Sequence, residues 1–121
     1  MKKEESVAAL TRMVLAFRDA RNWAQFHGLR HLMVSLNLEA AEVLELSQWK
    51  TDAEMEAFAQ TPAGHAALAD ECADVLAYLL LLADRAQIDL AAALRAKLKK
   101  NEKKYPVVKS YGRKEKYDAL G

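Results

Sequence analysis

The chain of 121 residues is one domain long, 52% hydrophobic, with 18 basic and 17 acidic side chains for a net charge of +1. That balance argues against a nucleic-acid or membrane partner held by bulk charge, so any electrostatic message lies in where the charges sit. The single Cys72 excludes an internal disulfide framework, the Met-Lys-Lys-Glu-Glu-Ser start lacks a signal-peptide core, and the longest apolar run, Val75 to Ala83, is far below the ~18 residues of a membrane span. A soluble, cytoplasmic protein is expected.

Four glycines and two prolines punctuate the sequence, and no alternating apolar–polar pattern persists, so the expected class is all-α. From Glu4 to about Phe26, Val7, Leu10, Met13, Val14, Phe17 and Ala20 recur at helical spacing, with Glu4 and Glu5 at the positive end of the helix dipole. Gly28 allows a break. A second helix is expected from about Leu32 to Trp49, followed by a short helical turn from Ala53 to Ala59 that Thr61-Pro62-Ala63-Gly64 would end. The third helix, His65 to about Ala86, is apolar almost all round, which implies neighbours on several sides, a second subunit among them. The fourth starts at Ile88-Asp89, with Asp89 as N-cap, and carries the apolar seam Leu90, Leu94 and Leu98 beside the basic stripe Lys97, Lys100, Asn101 and Lys104. Tyr105-Pro106 closes it. Residues 1–106 are read as the domain, and 107–121 as a basic, extended, flexible tail that orders against a partner or ligand.

Chemistry concentrates in Leu36 to Leu46, where Glu39, Glu42 and Glu45 interrupt an apolar run every three residues. Glu71 and Asp74 repeat the spacing just before Val75 to Ala83. Such pairs are common on solvated helix faces. Here both pairs sit in the most apolar parts of the chain, on helices long enough to lie side by side, and no basic residue is within a turn of Glu39 or Glu42. Four gathered carboxylates repel strongly unless protonated or bound to a cation. Oxygen-only ligands favour Mg²⁺, Mn²⁺ or Ca²⁺ over zinc, and Mg²⁺ commonly shares its shell with phosphates. A di-iron bundle would need Glu-x-x-His, which none of His27, His31 and His65 supplies.

The stripe Lys97, Lys100, Asn101 and Lys104 could be an ordinary solvated face, but beside an acidic metal site it could hold phosphate and sugar. Trp23, Phe26, His27, Trp49 and Tyr78 are the remaining set. Aromatic residues at helix ends are usually core, yet Trp23 to His27 and Gln48-Trp49-Lys50 end helices where a pocket mouth would lie, and a flat ring there could stack on a base.

With these residues assembled, the chain resembles the MazG-like nucleoside triphosphate pyrophosphohydrolases, nearest to their dCTP pyrophosphatase subgroup. Glu39-x-x-Glu42 and Glu71-x-x-Asp74 carry the family signature, and Arg21 to His27, Gln48 to Asp52 and Asn101 to Pro106 carry the subgroup. The resemblance implies a four-helix, all-α bundle completed by dimerisation, as a homodimer or a homotetramer (dimer of dimers). It also implies Mg²⁺-dependent cleavage of a (d)NTP, dCTP or a modified dCTP, into a monophosphate and pyrophosphate, with Mn²⁺ as a substitute ion. Carried over by motif, Glu39, Glu42, Glu71 and Asp74 hold metal. His27, Trp49, Tyr78 and Asn101 contact base or sugar, and Lys97 and Lys104 lie near phosphate. Glu42 or Glu45 would orient the attacking water or take its proton. The chain departs from the subgroup at Leu29, where proline is usual, and at Leu38, where a small residue is usual. The competing readings are a non-catalytic helical module that senses a nucleotide through the same pocket, and a bare metal-binding bundle.

Overall fold

The computed structural model describes residues 4–114 and 118, and those residues contain no β-strand. They form α1 (Val7–Ala20), a 3₁₀ turn (Ala24–Phe26), α2 (Leu29–Glu45), α3 (Asp52–Gln60), α4 (Pro62–Arg85), α5 (Leu90–Lys104) and the short α6 (Val107–Ser110). The all-α expectation is met. Two compact units result, Met1–Gln87 and Ile88–Gly121.

In the first unit α4 is the central helix, with α2 as its main neighbour and α1 and α3 also against it. The buried side chains Leu32 on α2 and Leu80, Leu81 and Ala83 on α4 place the core between these two helices. That core is small. Leu76 on α4 and Val34, Leu38 and Leu44 on α2 stay exposed, so the nearly all-apolar α4 is not enclosed by the described residues of one chain.

The observed boundaries differ from the expected ones, each for a local reason. The first helix begins later because Ser6 is its N-cap, its hydroxyl accepting from the Ala9 N–H at 3.0 Å. It stops at Ala20 rather than Phe26 because Asn22 turns left-handed (φ 55), a conformation Asn tolerates better than most residues. The second helix is displaced towards the N-terminus, running from Gly28 as N-cap to Glu45, and Leu46 to Trp49 are turn. The short turn expected after Thr51 is a nine-residue helix, started by a capping box between Thr51 and Glu54.

Thr61-Pro62-Ala63-Gly64 proves to be a start as well as a stop. Thr61 caps α4 through the Gly64 N–H at 3.0 Å, and Pro62 occupies the first turn, where its missing N–H costs nothing. Gly64 therefore lies inside the helix, and it is buried. A Cβ there would sit 1.8 Å from the Phe58 carbonyl oxygen. Gly64→Ala should accordingly force α3 and α4 apart and lower stability by about 1–3 kcal/mol. Equilibrium denaturation checks this, and an unchanged midpoint would show that the corner relaxes freely.

The second unit contains α5, capped by Asp89 through the Ala92 N–H at 3.0 Å as the sequence indicates. The extended tail expected after Pro106 instead begins with one helical turn. Pro106 is its N-cap and Gly112 (φ 74) its left-handed exit. The rest of that expected tail, apart from residues 113, 114 and 118, lies outside the described residues.

Candidate metal and nucleotide site

Three residues advance a helix by about 300°, so i,i+3 carboxylates sit on adjacent edges of one face. On α2 that face carries Glu39 and Glu42; on α4 it carries Glu71 and Asp74. The α2–α4 contact brings all four together, and one ligand oxygen from each lies within 4.8 Å of the others. Glu39 and Glu71 are half-buried, while Glu42 and Asp74 face solvent.

The electrostatics are those of a site short of positive charge. One buried oxygen of Glu39 and one of Glu71, Oε2 in each case, have no hydrogen-bond partner. Polar atoms left so in native interiors are uncommon. Burial raises the Glu39 pKa first, and Glu42 and Asp74 push it further. For Glu71 hydrogen bonding with the Glu42 carboxyl raises the pKa most, followed by burial and the negative charges of Glu42, Asp74 and Glu39. No ion pair to any of the four occurs among the described residues. A hard divalent cation fits this all-oxygen donor set, and the two unpartnered oxygens could serve as ligands to it.

The sign of the pH dependence follows. A carboxyl whose folded pKa is raised binds protons more tightly in the folded state, so metal-free stability falls as pH climbs from the ordinary glutamate range through the raised values. Cation binding must displace those protons. Melting curves should therefore decline with pH over that window without metal and flatten with saturating Mg²⁺. A decline that Mg²⁺ leaves untouched would count against these four residues as its ligands.

Glu45 does not join the cluster. The helical drift carries it further round α2, where it lines a groove of about 440 Å³ with Ala41, Leu44, Ser47 and Gln48. Tyr78, half-buried, stands one turn beyond Asp74 on α4. At the end of α1 the Phe17 and Trp23 rings meet edge-on with centroids 5.9 Å apart. The Arg21 guanidinium covers Phe17 at 3.6 Å and donates from Nη1 to the Phe17 carbonyl at 2.9 Å. His27 stacks on His31 with 6.0 Å between centroids, and its buried Nδ1 has no partner. Burial, then the charges of His31 and Arg18, hold the His27 pKa below its ordinary value. Trp49 is 92% exposed. Lys97, Asn101 and Lys104 lie along α5 in the second unit, with Asn101 half-buried.

Arg21 and His31, to which the sequence reading gave no role in a pocket, touch two of these rings. Each stands four residues beyond the ring it covers, Phe17 or His27, a helical-neighbour spacing visible in the sequence.

Residues 34–120 match the MazG-like family, a span that contains both acidic pairs and all of α5. The chain belongs to the MazG-like family. The family match begins after Trp23 and His27, but relatives extend it. Over 117 residues, 97% of this chain and 69% of the relative, the MazG-like chain is 41% identical to dCTP pyrophosphatase 1 of Rattus norvegicus and 38% identical to that of Homo sapiens. Among solved structures it is similar to a pyrophosphatase from Archaeoglobus fulgidus, with a TM-score of 0.75 and 37% identity over 88% of this chain and 97% of that one.

Proposed function

We propose that this MazG-like nucleoside triphosphate pyrophosphatase cleaves dCTP, or a modified dCTP, between the α- and β-phosphates, releasing dCMP or its modified counterpart and pyrophosphate. The observation that carries this reading is the cluster of four carboxylates, two of them with unpartnered buried oxygens, in a chain similar to dCTP pyrophosphatases. Glu39, Glu42, Glu71 and Asp74 would hold Mg²⁺, or Mn²⁺ in its place. Bound there, the ion would neutralise the carboxylates and stabilise negative charge on the phosphate oxygens.

The chain's own groups would do the rest. Glu42, the solvent-facing member on α2, or Glu45, three residues on beside the neighbouring groove, would orient the attacking water or take its proton. Trp49, with Trp23 near the other helix end, offers a flat face to the base. His27, held neutral at physiological pH, can hydrogen-bond base or sugar without adding charge. Tyr78 and Asn101 contact base or sugar, and Lys97 and Lys104 meet phosphate oxygens.

A second copy of the chain completes the molecule in this reading. Val34, Leu38, Ala41 and Leu44, at spacings of four and three, put an exposed apolar stripe on α2. A homodimer, or a dimer of dimers, would cover it; a monomeric mass by light scattering would remove this part. No helix of the described residues is long and apolar enough to cross a membrane, and cytoplasmic nucleotide-pool cleaning, with no nucleic acid as partner, is the setting proposed.

Incubation with each common dNTP and NTP plus Mg²⁺, followed by a pyrophosphate assay, tests the activity. Release should be greatest with dCTP. Tight Mg²⁺-dependent binding without release from any nucleotide would favour the sensing module instead.

A further inference from the structure

The turn between α2 and α3 holds a bulky residue where bulky residues are disfavoured. Trp49 has φ 64, in the left-handed region that L-residues other than Gly, Asn and Asp rarely occupy. The residue is 92% exposed, so burial does not explain the conformation.

The next residue does. The Lys50 ammonium donates to the Leu46 carbonyl oxygen at 3.1 Å, satisfying one of the last acceptors of α2. The same ammonium lies 4.0 Å from the centroid of the Phe58 ring on α3, a close cation–π contact. The Lys50 N–H donates to the Ser47 carbonyl at 3.0 Å, and the Ser47 hydroxyl to the Leu44 carbonyl at 2.7 Å. On the far side, the Thr51 capping box fixes the entry to α3. Trp49 is thus clamped between anchors on both helices, and Lys50 is the side chain that touches both. The end of α1 uses a similar device: Arg21 donates to the Phe17 carbonyl four residues back, its guanidinium is 5.9 Å from the Trp23 ring, and Asn22 between them is left-handed.

We propose that Lys50 is a positioning residue for the nucleotide base: by joining the Leu46 carbonyl to the Phe58 ring it holds residue 49 left-handed, so that the indole is already oriented when the base arrives. This rests on the reading that Trp49 stacks on the base. Lys50 itself touches neither base nor phosphate. Its contribution is to reduce the ordering that binding would otherwise require.

The test compares Lys50→Met, Lys50→Arg, Trp49→Ala and the Trp49→Ala/Lys50→Met double variant, using dCTP as substrate and tripolyphosphate, which carries no base, as competitor. Lys50→Met should raise KM for dCTP roughly three- to tenfold with kcat within about twofold, and leave the Ki of tripolyphosphate unchanged. Lys50→Arg, which keeps both the donor and the aromatic contact, should restore KM. In the Trp49→Ala background, Lys50→Met should add nothing. KM and Ki do not depend on the fraction of folded enzyme, so partial unfolding cannot imitate this pattern. If Trp49→Ala raises KM and Lys50→Met does not, the role of Lys50 is overturned while stacking stands. A parallel rise in KM and in the tripolyphosphate Ki, or full additivity with Trp49→Ala, overturns it by moving Lys50 to the phosphates. An unchanged KM in Trp49→Ala overturns the stacking reading, and the positioning role falls with it.

Discussion

Glu39→Ala and Asp74→Ala should each reduce dCTP turnover by about 100-fold or more, the scale seen when one preorganised charge-stabilising group is removed from an active site. Their effect on stability should have the opposite sign. Glu39 is pushed up by burial and by its neighbours Glu42 and Asp74, so deleting either carboxylate relieves repulsion in the metal-free protein. Metal-free melting temperature should hold or rise, and the stabilisation given by Mg²⁺ should shrink. A variant that loses activity by unfolding would show the reverse. Near-full Mg²⁺-dependent activity in either variant would remove these residues from the site.

Trp49→Ala should raise KM for dCTP by about 5- to 150-fold, the range expected when a stack worth ~1–3 kcal/mol is lost. The change in kcat should be much smaller, because the four carboxylates are untouched. Exposure makes this a clean experiment: a residue 92% open to solvent supports little of the fold. Replacing it with glycine sharpens the contrast. At φ 64 glycine meets no steric penalty, so Trp49→Gly should stabilise the protein by up to ~1–2 kcal/mol while weakening the nucleotide. Loss of stability together with unchanged KM would make Trp49 a structural residue.

Much of the candidate site was legible because it is written in helical spacing. Glu39-x-x-Glu42 and Glu71-x-x-Asp74 lie in apolar helices, and packing α2 on α4 is enough to gather them. The same arithmetic shows why Glu45 parts company. Each i,i+3 step falls about 60° short of a full turn, so a third glutamate leaves the face that the first two share. Asp89 and Tyr105-Pro106 marked the ends of α5 because capping and proline sterics are local.

What escaped sequence reasoning depends on single backbone dihedrals and on contacts between elements. Asn22 and Trp49 turn left-handed and end their segments where hydrophobic spacing continues. Gly64 looks like a helix terminator, yet it is the residue that lets α4 approach the Phe58 carbonyl. Val107 to Ser110 coil for one turn after Pro106, itself extended at ψ 142, and the basic composition of the segment gives no sign of that turn. Lys50 reads as one more surface lysine until Leu46 and Phe58 are placed beside it.

Turnover of dCTP with Mg²⁺ in oxygen-18 water, followed by mass analysis of both products, tests the central claim most directly. Attack at the α-phosphorus predicts one labelled oxygen in dCMP and unlabelled pyrophosphate. Label in the pyrophosphate, or dCDP and inorganic phosphate as products, would contradict it.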